Sequence, residues 1–175
     1  MKLVAIDFDM TLVSLHLRND QRIEIAELAK CIRPFFQEFV PLAVNSNILI
    51  AIVTFSKLVD MISSLLRYSF GEEIAASIVI RGNDETWQYV GSPSTISIFR
   101  VSFVGQGCME GKQKHMASAA EFLSRQHCVS LSRSNALLID DDVDNVNIAL
   151  NSRVRALRCD PGNPHSLVHH MLSLT

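Results

Sequence analysis

The sequence predicts an α/β fold, a parallel sheet whose strands are covered by helices on both faces. Three features carry that expectation. Short apolar runs recur without polar alternation, which suits strands buried on both sides. Segments of helical periodicity separate these runs. Three of the runs end in polar side chains, which a sheet of this kind gathers along one edge.

The elements follow in order. Leu3 to Phe8 (LVAIDF) reads as the first strand. Gln21 to Val44 carries apolar residues at helical spacing, broken by Pro34 and Pro41. Ile48 to Val53 (ILIAIV) is the second strand, and Leu58 to Tyr68 is the amphipathic helix behind it. Ser77 to Ile80 (SIVI) is the third strand. Asn83 to Gly107, with Trp87, Gly91, Pro93 and the β-rich stretch TISIFRVSFV, reads as a strand or hairpin excursion at a sheet edge. Lys112 to Arg125 is an alanine-rich helix. Ala136 to Ile139 (ALLI) is the fourth strand, and Val143 to Leu150 is a short helix behind a cluster of aspartates suited to its N-terminus. Val154 to Cys159 (VRALRC) is a weaker fifth strand, and the stretch after Asp160 reads as a turn and a short terminal helix.

A length of 175 residues suits a single domain spanning residues 1–175, long enough to bury a core without staples. The composition, 48% hydrophobic and 19% charged, is that of an ordinary globular protein. A net charge of −2 and a pI near 6.3 give no signal for nucleic acid or an anionic membrane. The cysteines Cys31, Cys108, Cys128 and Cys159 form no CxxC pair, so free thiols in a reducing compartment are expected. The opening LVAIDFD is interrupted by aspartates too early for a signal peptide, and no apolar run is long enough to span a bilayer. A cytoplasmic location is the expectation.

The candidate chemistry lies at the strand ends. The first strand ends in Asp7-Phe8-Asp9-Met10-Thr11, the second in Thr54-Phe55-Ser56 and the fourth in Asp140-Asp141-Asp142. Two carboxylates one residue apart at a strand end point the same way and repel. A hard cation such as Mg²⁺ relieves that repulsion with oxygen ligands, and Asp140 and Asp141 add further oxygens. A carboxylate beside such a cation can approach a phosphoryl group and attack it, while a second carboxylate moves the proton. A hydroxyl and a lysine would hold the remaining phosphoryl oxygens.

These residues resemble the haloacid dehalogenase superfamily of phosphatases. Asp7, Asp9 and Thr11 match its DxDxT motif at the first strand end, and Thr54 matches its second motif. Lys112 is the best match to the third, with Lys114 as competitor, and Lys112-x-x-His115 resembles small magnesium-dependent phosphatases of the group. Asp140, Asp141 and Asn145 match the acidic fourth motif, DDxxxN. The resemblance implies a three-layer, Rossmann-like parallel sheet and a phosphatase acting through an aspartyl-phosphate. It implies Asp7 as nucleophile and metal ligand, and Asp9 as general acid/base that meets the metal through its backbone carbonyl. Asp140 and Asp141 would complete a Mg²⁺ site, while Thr54, with Phe55 beside it, and Lys112 would hold phosphate.

The sequence departs from the family at Met10, where a small or polar residue is usual, and in its short connections after the first two strands, which imply little or no cap domain. The partner implied is a phosphorylated substrate, small or macromolecular, with no membrane and with a homo-oligomer left open. Two other readings compete: a binding or regulatory protein on the same scaffold, and another reaction of the superfamily such as phosphotransfer or dehalogenation. Several residues have blander readings. Asp140 to Asp142 suit an N-cap, Thr54 or Ser56 suits a cap for the Leu58 helix, and His115, His169 and His170 suit packing or surface roles. His16 and Arg18 lie close enough to Asp9 in sequence to be weak candidates for leaving-group contacts.

Overall fold

A computed structural model describes residues 1–18, 22–84, 87, 110–160 and 162–163 of the chain. Its centre is a five-stranded, all-parallel sheet in the order β3-β2-β1-β4-β5. The strands are β1 (Leu3–Ile6), β2 (Leu49–Val53), β3 (Val79–Arg81), β4 (Ala136–Asp140) and β5 (Arg155–Arg158). Register is continuous across the centre, with Ile6 opposite Ile52 on one side and Ile139 on the other.

Alternation along the strands builds two cores. Val4, Ile6, Ile50, Ile52, Leu137 and Ile139 face one side, against α1 (Ile25–Ala29), α2 (Pro34–Asn45) and α3 (Val59–Phe70). Leu3, Ala5, Ala51, Val53, Ala136 and Leu138 face the other. There they meet the alanine-rich α5 (Gln113–His127) and Ala149 of α6 (Val143–Asn151). A short α4 (Glu72–Ser77) leads into β3. Small residues on both the sheet and α5 allow a close approach, and large aliphatic and aromatic side chains fill the opposite face. The result is the three-layer arrangement expected from the unbroken apolar runs. Among the described residues, no helix is long and apolar enough to cross a membrane.

Three local expectations change. The first strand stops at Ile6, because Phe8–Leu12 coils into one wide turn closed by Leu12 N–H to Asp7 C=O and Val13 N–H to Phe8 C=O. Ser77 ends α4 rather than starting β3, so the third strand begins at Val79. Pro34 opens α2 at its first turn, where a missing N–H costs nothing, and Pro41 sits within α2 without ending it. The packing of Phe36, Val40 and Ala43 against the sheet carries α2 past Pro41. The hairpin expected over Asn83 to Gly107 lies outside the described residues except at Asn83, Asp84 and Trp87. The expected terminal helix also lies outside them.

Strand order reverses beside β1: β2 and β3 lie to one side of it, β4 and β5 to the other. A sheet of this type opens its ligand crevice at that point, beyond the carboxyl ends of the strands. The polar ends of β1, β2 and β4 therefore meet.

Candidate active site

Asp7 follows the last residue of β1, and its amide donates to Ile139 C=O of β4 at 2.8 Å. That bond sets the Asp7 side chain beside Asp140, the last residue of β4. Asp7, Asp140 and Asp141 each present an oxygen, and these oxygens lie within 4.8 Å of one another. Lys112, immediately before α5, donates from Nζ to Asp7 Oδ1 at 2.6 Å, with both side chains buried. The same ammonium stands 3.8 Å from the ring centre of Phe55. Of the two candidate lysines, Lys112 is buried against Asp7, and Lys114 is exposed.

Thr54 follows β2 and is buried. Its Oγ1 accepts the Ser56 amide at 3.0 Å, and Ser56 Oγ in turn accepts the Leu58 amide at 3.1 Å. Ser56, not Thr54, thus serves the start of the following helix. The Phe55 N–H between them has no partner among the described residues. The loop after β2 therefore has the Phe55 amide to offer an anion.

The turn after β1 is more strained. Met10 adopts φ 57°, a left-handed conformation that costs a non-glycine residue on the order of 1 kcal/mol. Around it, the Met10 amide donates to Leu15 C=O at 2.9 Å, and Asp9 Oδ1 accepts the Leu17 amide at 2.7 Å. Thr11 reaches across the sheet, donating from Oγ1 to Asp141 Oδ1 at 3.1 Å.

No protein-family model matches the sequence, and no curated protein does. The structure is similar to the crystal structure of the N-terminal part of a Bacteroides fragilis protein containing a phosphatase domain, complexed with Mg. The two are 14% identical with a TM-score of 0.53, over 96% of this chain and 39% of that one. The fold is haloacid dehalogenase-like. A looser likeness is to DsGPDH of Dunaliella salina, 12% identical with a TM-score of 0.45, over 89% of this chain and 22% of that one. This chain thus spans less than half the length of either structure.

In this haloacid dehalogenase-like fold the strand-end groups line a cavity of about 190 Å³. Asp7, Asp9, Thr54, Phe55, Lys112, Asp140 and Asp141 reach it. Met10, His16 and Asn145 join them, and Arg18 does not. Asp142 contributes to the wall while its side chain caps α6 by accepting the Asp144 amide at 2.8 Å. Asp9 lies apart from the oxygen trio, its carboxylate turned to Leu17.

The electrostatics follow from four aspartates facing one lysine. Burial is the main force on Asp7, and repulsion from Asp140 and Asp141 adds to it. Together they outweigh the pull of Lys112 and raise Asp7 to about 7. Burial likewise raises Asp9 and Asp140 above the usual carboxylate range. Asp7 and Asp140, held reluctant to ionise and converging with an oxygen of Asp141, are what a hard divalent cation would relieve. The donor set therefore fits Mg²⁺.

His115 is buried, and its Nε2 lies 3.0 Å from Asn83 Oδ1. Its ring packs edge-on to Phe55 and Trp87. Burial, with Lys112 and Lys114 adding, lowers its pKa to about 4, so the ring is neutral near pH 7. His115 is thus a packed wall behind Phe55.

Proposed function

We propose that this chain is a Mg²⁺-dependent phosphatase that hydrolyses a phosphomonoester through an aspartyl-phosphate on Asp7. The observation that carries the reading is the convergence of Asp7, Asp140 and Asp141 oxygens within 4.8 Å, beside the buried Lys112–Asp7 pair.

Asp7, Asp140 and Asp141 would hold the cation. Bound there, Mg²⁺ supplies charge neutralisation to the phosphoryl oxygens and keeps Asp7 ionised. The Phe55 amide, the Thr54 hydroxyl and the Lys112 ammonium grip those oxygens from the opposite side. An Asp7 carboxylate oxygen attacks phosphorus, and the bond from phosphorus to the ester oxygen breaks. Asp9, raised toward neutrality by burial, gives its proton to the departing oxygen. The resulting Asp9 carboxylate then takes a proton from water, which attacks phosphorus, releases inorganic phosphate and restores Asp7. The bond from Leu17 aims Asp9 for both steps.

The test is p-nitrophenyl phosphate turnover by wild type and Asp7→Asn, each with Mg²⁺ and with EDTA. Wild type is expected to turn over only with Mg²⁺. Asp7→Asn should lose activity by a factor on the order of 10³ or more while keeping its circular dichroism spectrum. Wild-type turnover in Asp7→Asn, or full activity in EDTA, would overturn the proposal.

A further inference from the structure

Arg33 is a buried cation that the chemistry above does not use. It takes no part in lining the cavity. Buried charges are normally paired with an opposite charge. Here the guanidinium donates from Nη2 to the Met10 carbonyl at 2.9 Å, while Nε has no acceptor among the described residues. The partner it reaches is therefore the carbonyl of the one left-handed residue in the Asp7–Leu12 turn.

The backbone is arranged to bring it there. Val13 and Ile32 form an isolated antiparallel bridge. Ser14 N–H donates to Cys31 C=O at 2.8 Å, and Arg33 N–H donates to Leu12 C=O at 3.0 Å. Arg33, the residue just ahead of α2, is thus fastened to the turn by its amide, and its side chain then reaches back to Met10.

Met10 is the joint between two rigid peptide planes. The plane before it carries the Asp9 carbonyl and is anchored through the Met10 amide on Leu15. The plane after it carries the Met10 carbonyl and the Thr11 amide, and Arg33 anchors that one. The residues on either side are the two whose placement matters: Asp9, aimed by Leu17, and Thr11, which steadies Asp141. Relaxation of Met10 to negative φ would turn one plane against the other and shift Asp9 relative to Thr11.

We propose that Arg33 is a positioning residue, holding Asp9 and Thr11 in register with Asp7 and Asp141 through the Met10 carbonyl. The inference rests on the phosphatase reading for its kinetic consequence, but its structural consequence stands by itself. A guanidinium has the reach and the fork of donors to serve a buried carbonyl.

The experiment compares wild type with Arg33→Met, Arg33→Ala and Arg33→Lys, using p-nitrophenyl phosphate with Mg²⁺ and amide hydrogen exchange without it. In Arg33→Met, kcat should fall about 100-fold, the scale for misplacing a reacting group. KM should stay within about threefold, because the phosphate-holding groups are untouched. Arg33→Lys should fall between the two, and millimolar guanidinium chloride should restore part of the kcat of Arg33→Ala. The Leu17 amide, bonded to Asp9, should exchange at least about tenfold faster in Arg33→Met, while the amides of β4 keep their protection. A lowered Tm with unchanged kcat and unchanged Leu17 exchange would show a merely structural residue and overturn the proposal. If wild type turns over no phosphomonoester, the phosphatase reading falls, and Leu17 exchange alone decides for or against the clamp. Should Arg33→Met not fold, Arg33→Gln fills most of the same volume without the charge and carries the same expectations.

Discussion

The Asp140 carboxylate is oriented before any ligand reaches it. The Asp142 amide donates to its Oδ1 at 2.9 Å, and the Asn145 side-chain amide donates to Oδ1 and Oδ2 at 3.2 and 3.1 Å. Partners of this kind, one step behind the metal, set both the direction and the charge of a ligand. Asn145→Ala is therefore expected to weaken Mg²⁺ binding by about 10- to 100-fold with the fold intact, read as the Mg²⁺ concentration giving half-maximal turnover. An unchanged Mg²⁺ requirement would mean that Asn145 serves only packing. At this scale much of the site was legible in the sequence, because Asp7, Asp9, Thr54, Lys112, Asp140 and Asp141 are polar residues that close apolar runs or open a helix. Lys112 and Lys114 were separable only with the structure: two residues are about 200° apart on a helix, so one of them faces Asp7 and the other faces solvent. Arg33 was illegible because its role depends on the Val13–Ile32 bridge, which no spacing announces. The one sign of it is a cation set in the apolar stretch Ile32-Arg33-Pro34-Phe35-Phe36.

Among the elements, α5 shows how a helix start serves the site from both ends of the sequence. Gly111, just ahead of Lys112, has φ +53°, and a Cβ there would lie 2.9 Å from Asn145 Oδ1 and 3.3 Å from Ile148 Cδ1. Its bareness lets the Lys112 turn pack directly on α6. Gly111→Ala is expected to cost about 1–2 kcal/mol from the left-handed backbone and the crowding together, seen as a lower urea midpoint. Because the crowding falls on Asn145, the same variant should also raise the Mg²⁺ requirement. Stability lost with no change in that requirement would place the strain in Gly111 alone. Strands β1, β2 and β4 were readable because both of their faces are buried, so their runs are apolar up to the Asp140 that closes β4. The boundaries were harder to read. Ser77 looked like a strand start because it adjoins Ile78-Val79-Ile80, yet its Oγ donates to Ile74 C=O at 2.7 Å inside the last turn of α4. Pro41 looked like a helix break, but the core contacts of α2 outweigh one missing hydrogen bond.

For the molecule as a whole, the site is built against stability. Asp7 takes up its proton near pH 7 in the fold, against 3.8 for an unperturbed aspartate. Between these values the folded chain keeps a proton that the unfolded chain has lost, so this group makes stability fall as pH rises. His115 acts in the opposite sense, since its folded value of about 4 lies below the ordinary 6.5. Comparing wild type with Asp7→Asn cancels His115, which both proteins contain. In EDTA, the Tm of Asp7→Asn relative to wild type should therefore climb from pH 4 to about 7 and level off above it. Saturating Mg²⁺ should reverse the gap, because only wild type binds the cation fully. A gap that does not vary with pH would mean that Asp7 ionises freely in the fold. One consequence of the strand order concerns synthesis. Thr11 and Asp141 are hydrogen-bonded across 130 positions of sequence, and β1 lies between its early neighbour β2 and its late neighbour β4. A growing chain can pair β1 with β2 long before Asp140 and Asp141 have been translated. Until then it holds Asp7 without the other carboxylates of the trio, so cation binding becomes available only after the end of β4 has emerged. On the proposed reading, a cation bound by the trio would therefore draw the late strands into place rather than the early ones.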